Sequence, residues 1–132
     1  MTFGSKLRKL REENNMTQAD LADALGLSLK AISNYELKGT RPRTMDMYEK
    51  IADLFQVDLN YLLTNESAFV VKAHKTYGSK GAREAEELLS SMTGLFAGGE
   101  LEEEDKDALF EAIQEAYWEA KLENKKYGKK KD

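Results

Sequence analysis

The 132-residue sequence has no cysteine, one proline and one histidine. Without thiols there is no disulfide framework and no thiolate chemistry. The lone His74 has no second imidazole to converge with, and clustered glutamates alone give no ligand geometry, so no metal site is expected. No glycine-rich phosphate loop is present. No apolar run approaches the roughly 18 residues of a membrane span. The opening MTFGSKLRKLREEN lacks the apolar core of a secretory signal. These absences predict a cytoplasmic chain that is not an enzyme, carries no cofactor and does not enter a membrane.

What is present is a globular balance, 41% hydrophobic and 33% charged residues. The net charge of -4 says less than its distribution. Residues 1–65 balance nine Lys/Arg against nine Asp/Glu. Within them, residues 28–43 hold Lys30, Lys38, Arg41 and Arg43 against Glu36 alone. Residues 83–123 carry thirteen acids against Arg83, Lys106 and Lys121. The first segment suits phosphate; the acidic block does not.

Helical periodicity starts at Phe3, with Leu7 and Leu10 on the same face, and ends at Asn14-Asn15. Thr17 is a helix cap with Asp20 in the capping-box position, ahead of a helix from Gln18 to Leu25. Leu21, Ala22 and Leu25 form its inner face. Gly26 stands where a left-handed residue ends a helix. Ser28 caps a third helix, Leu29 to about Leu37, with Ile32 and Tyr35 inward and Ala31 in support. Small Ala22, Gly26 four residues on and Ile32 six after that match a helix-turn-helix. A loop follows, with Gly39 and Pro42. Thr44 is expected to cap a fourth helix, Met45 to Phe55, and Asp58 a fifth, Leu59 to Leu63. Tyr35 and Tyr48 read as half-buried core. The stretch 66–81, with two glycines and the patch Phe69-Val70-Val71, reads as a linker. Two further apolar stripes, on either side of Gly98-Gly99, predict a helical hairpin over 82–126 and a basic tail over 127–132.

Gln18-xx-Leu21-Ala22-xxx-Gly26-xxxxx-Ile32-Ser33-xx-Glu36, followed by Pro42, resembles the lambda-repressor-like helix-turn-helix family, the XRE or Cro/CI type. IADLFQVDLNYLL, Ile51–Leu63, is similar to the last two helices of that family. One departure is that Gly39 falls one place later in the loop than the family pattern. The resemblance covers about residues 3–65. It implies an all-α chain: a five-helix DNA-binding domain over 1–65, the linker, and the C-terminal hairpin. It also implies that the third helix enters the major groove of double-stranded DNA.

On that helix Ser28, Leu29, Lys30, Ser33 and Asn34 face outward and are the expected base contacts. Gln18, at a helix N-terminus, and Lys38, Thr40, Arg41 and Arg43 are the expected phosphate contacts. One such domain discriminates poorly, so a homodimer on a palindrome is expected. A two-helix hairpin rarely folds alone. Its apolar residues Leu88, Leu89, Met92, Leu95, Phe96, Leu109, Phe110, Ile113 and Tyr117 are therefore assigned to dimerisation. The expected function is a sequence-specific transcriptional regulator, a dimeric repressor of phage, mobile-element or housekeeping type, with a protein anti-repressor as a further possible partner. The alternative is an antitoxin or a protein-interaction regulator whose C-terminal helices hold a protein.

Overall fold

Side-chain caps start the first three helices. Thr2 accepts from the Ser5 amide to begin α1, Phe3–Glu13. Thr17 accepts from the Asp20 amide at 3.0 Å, and Asp20 accepts from the Thr17 amide at 2.9 Å, opening α2, Gln18–Leu25. The Thr17 amide, and after it the Thr17 hydroxyl, hold the Asp20 carboxyl below its ordinary range. Ser28 accepts from the Ala31 amide to begin α3, Leu29–Leu37. The remaining elements are α4, Met45–Phe55; α5, Leu59–Leu62; α6, Asn65–Phe96; and α7, Glu103–Gly128. This computed structural model describes residues 2–96 and 102–128, with side chains over 2–92 and 102–123, and no strand occurs among them.

The helix-turn-helix forms as its residues require. Gly26 sits in the left-handed region at φ 68°, and the Leu27 amide closes on the Ala22 carbonyl at 2.9 Å. Lys50 of α4 donates to the Leu25 carbonyl at 2.9 Å, placing a cation at the negative end of α2. An eight-residue helix is marginal alone, so α2 depends on packing. Leu21 and Leu25 are buried, each contributing about 1.5–3 kcal/mol. They join Phe3, Leu7, Leu10, Ala22, Ile32, Tyr48, Ile51, Ala52 and Leu62 in one core. Phe3 meets Tyr35 and Tyr48 edge-on, with ring centroids 5.7 and 5.4 Å away. A Cβ at Gly4 would collide with the Tyr35 carbonyl oxygen, so glycine is what lets α1 lie directly on α3.

Three expectations need correction. Thr44 stands at the start of α4 but makes no side-chain cap. The preceding loop is instead fastened by Tyr48, whose hydroxyl donates to the Pro42 carbonyl at 2.9 Å. The supposed linker over 66–81 is helical, being the first part of α6. Thr64 caps it, accepting from the Ser67 amide at 3.1 Å. Phe69, Val70, Val71 and Ala73 are buried, and Val71 joins the main core, so apolar burial holds the segment as helix. The helix breaks only at Gly78, where φ 75° and ψ -161° form a conformation open essentially to glycine alone. The third correction concerns the boundary. The chain divides into two compact units, Met1–Glu87 and Leu88–Asp132, so the first reaches well past residue 65.

In the second unit α7 opens with Glu103, Glu104 and Asp105 in its first turn, as its dipole favours. Of the residues assigned to dimerisation, Leu89, Met92, Phe110 and Tyr117 are buried within this single chain. Leu88 and Ile113 are half-buried and Leu109 is exposed. The side chains of Leu95 and Phe96, the Gly98-Gly99 turn and the tail beyond Gly128 lie outside the described residues. No helix among the described residues is long and apolar enough to cross a membrane.

Candidate nucleic-acid interface

An acid on an inward helix face must find a cation or be expelled. Glu36, one turn after Ile32 on α3, is only 1% exposed. Arg11 of α1 meets it with both prongs of its guanidinium, Nε to Oε2 at 2.8 Å and Nη2 to Oε1 at 2.9 Å. Arg11 also donates to the Met16 carbonyl at 2.9 Å. The hydrogen bonds that Arg11 donates to Glu36 raise the Arg11 pKa, against the opposing effect of burial. Gln18 of α2 donates its side-chain amide to Glu36 Oε1 at 3.2 Å. One carboxylate thus ties α1 and α2 to α3 and fixes the angle at which α3 is presented.

The free side of α3 carries the expected base readers. Ser28, Leu29 and Lys30 are exposed, and Ser33 and Asn34 are half-buried. Ser28 has a second task as the α3 cap. Leu29 is 53% exposed, well placed to meet a thymine methyl rather than the core. Lys38 and Thr40 are exposed in the following loop, where Gly39 takes φ 72°. The expected phosphate ligands are less uniform. The Gln18 side chain is engaged by Glu36, which leaves the N-terminal amides of α2 as the simpler anion donors there. Arg41 donates weakly to the Gly39 carbonyl at 3.4 Å, and its Nε is buried with no hydrogen-bond partner. Arg43 is paired to Glu86 of α6.

The loop is held rigidly from below. Burial pushes the Tyr48 phenol up to about 12, so at neutral pH it stays a donor to Pro42. Asn34, Tyr35, Thr40, Arg41, Pro42 and Arg43 line a cleft of about 340 Å³ beside α3, together with Ala31 and Glu86. Of the expected contacts, Asn34, Thr40, Arg41 and Arg43 are thus brought together in one cleft of the first unit.

Comparison with known proteins agrees with this geometry. A family model described as a helix-turn-helix domain matches residues 4–68. The chain is 30% identical over 123 residues to an uncharacterized HTH-type transcriptional regulator, YqaE, of Bacillus subtilis (strain 168), covering 93% of this chain and 99% of that one. The chain belongs to the lambda-repressor-like helix-turn-helix family of transcriptional regulators. It is also similar to an immunity repressor protein of Bacillus phage phi105, 27% identical over 139 residues, covering 99% of this chain and 95% of the relative. Both likenesses extend well beyond the residues that the family model matches, over nearly the whole chain. A putative HTH-type transcriptional regulatory protein of Methanocorpusculum labreanum shares 43% identity over 54 residues, only 16% of its length. No solved structure matches.

The residues that sequence reasoning missed are Arg11 and Glu86, and Glu36 in its structural role. Arg11 lies one turn after Leu7 and Glu36 one turn after Ile32, so each was marked by its helix phase. Glu86 had no such local signal.

Proposed function

We propose that the protein is a repressor that binds a palindromic operator as a homodimer, α3 of each copy in successive major grooves. The observation that carries this is that Asn34 of α3 lines one cleft with Thr40, Arg41 and Arg43 of a loop fastened by Tyr48, while Leu29 and Lys30 of the same helix are exposed. Lys30 donates to guanine O6 and N7, Asn34 pairs with adenine, and Leu29 meets a thymine methyl. The loop cations set register on the backbone without reading sequence. The repressing sign follows the printed name of the phage relative.

One domain buries too little DNA surface to discriminate a site in a genome, and two half-sites about 34–36 Å apart supply the rest. For the dimer contact, α7 offers a stripe of Leu109, Ala112, Ile113, Ala116 and Ala120, of which all but Ile113 are exposed. These positions recur at helical spacing, and the alanines admit a close second helix. The stripe keeps Leu109 and Ile113 of the residues assigned to dimerisation and lies next to the buried Phe110 and Tyr117.

Selection of bound sequences from random duplexes by the full-length protein tests the reading. A palindrome with fixed half-site spacing is expected. A single half-site, or no enrichment, sinks the dimeric repressor. Lys30→Ala should then relax preference at one position, and Arg41→Ala should weaken all sequences alike. The same α7 stripe would serve an antitoxin or a protein anti-repressor complex. Capture of a defined protein partner with no enriched DNA would favour that second reading.

A further inference from the structure

Two arginine–carboxylate pairs in the first unit differ in kind. Arg11–Glu36 is short and buried, with side chains 12% and 1% exposed. Arg43–Glu86 is longer, Nε to Oε1 at 3.3 Å and Nη2 to Oε2 at 3.2 Å, with side chains 39% and 24% exposed. The first has the geometry of a structural tie; the second is stretched beyond the usual 2.7–2.9 Å or so of a charge-assisted bond and open to exchange.

The second pair also stands in a telling place. Arg43 belongs to the loop that grips the DNA backbone, and Glu86 lines the same cleft as Asn34, Thr40 and Arg41. Both Glu86 oxygens are taken up by Arg43. Arg41 Nε, buried in the same region, lacks an acceptor. Buried donors rarely go unmatched. A backbone phosphodiester carries its two anionic oxygens on a tetrahedral phosphorus and so can divide them between two arginines.

We propose that Glu86 occupies, in the DNA-free protein, the seat that a backbone phosphate takes in the complex. The α6 helix then acts as an internal competitor for Arg43. Binding exchanges one anion for another, and the displaced carboxylate is left beside the phosphate that replaced it. Affinity is lowered by a similar factor for every sequence, because Arg43 reads no base. Selectivity is thereby left to α3. This inference rests on the DNA-binding reading above.

The test uses the full-length protein with Glu86→Gln, measured on the selected operator and on a random duplex across a salt series. Affinity for both duplexes is expected to rise about threefold to fivefold, the scale of a part-exposed ion pair. The dependence of log affinity on log salt should steepen by about 0.9, because the displaced Glu86 carboxylate of the wild type retains a cation beside the phosphate and the glutamine does not. Glu87→Gln, which removes the same charge one residue on, should give a smaller gain. In an Arg43→Gln background the Glu86→Gln gain should vanish. Glu86→Ala provides a second variant should the glutamine fold poorly. Unchanged or weakened binding overturns the proposal, as does a gain that survives loss of Arg43 or is matched by Glu87→Gln. If neither wild type nor variant binds any duplex, the DNA reading itself fails and the inference falls with it.

Discussion

The two units of this chain solve the same burial problem to different degrees. The first, Met1–Glu87, closes a core from five short helices and the start of α6, and ties its interface helix down with a buried ion pair. The second, Leu88–Asp132, buries Phe110 and Tyr117 yet leaves Leu109 at 36% and Leu122 at 62% exposed on α7. Short, capped helices with inward stripes close on themselves. A long helix with apolar residues on more than one side keeps a face for another molecule. The difference separates a helix-turn-helix unit with a closed core from a segment that leaves apolar residues of α7 exposed.

That contrast can be broken most forcefully at Arg11. Arg11→Ala leaves the Glu36 carboxylate buried without its cation and should cost the first unit about 3–5 kcal/mol. The chain's single tryptophan, Trp118, lies in the second unit, so its fluorescence reports that unit separately. The circular-dichroism melt should lose its first-unit transition to lower temperature while the fluorescence midpoint stays. Matching shifts in both would show that the units unfold as one. Gly4→Ala should act in the same direction by about 1–3 kcal/mol, through the collision with the Tyr35 carbonyl.

A smaller effect comes from alkali. Tyr48 is held neutral in the fold to about 12, against 10 for a free phenol. Unfolded chains ionise first, so the stabilisation is fully present below pH 10 and is lost as pH rises from 10 to about 12. The loss should reach about 2–3 kcal/mol at most, read as a falling denaturation midpoint. Tyr48→Phe should flatten that fall. The smallest change in melting belongs to Leu109→Asp, within about 0.5 kcal/mol as befits an exposed site. Its sedimentation should shift from dimer to monomer, and a dimer that persists would remove α7 from the interface.

The sequence made the helix-turn-helix legible because its signals are local. Thr17 and Asp20 cap each other three residues apart, and Gly26 sits at the end of the helix it terminates. Thr44 misled because the right residue at a cap position need not turn its hydroxyl to the amides. The beginning of α6 was hidden by composition: two glycines and adjacent Val70-Val71 look like a linker until their burial is known. The outward α3 residues followed from helix phase alone. The partners of Gln18 and Arg43 did not, because Glu36 and Glu86 lie 18 and 43 residues away along the chain. Contacts of that range depend on how helices are stacked, which no window of sequence records.

Gly78 can finally be considered as a matter of reach. Continued straight at 1.5 Å per residue, α6 would carry Glu86 about 32 Å from Asn65, far along its own axis. The break at Gly78 redirects the chain, and eight residues later a carboxylate lies on a loop arginine that precedes the helix by more than twenty residues. A side chain at this position would favour the straight path. Gly78 acts as the bend in a lever, and its placement sets which loop the far arm can touch.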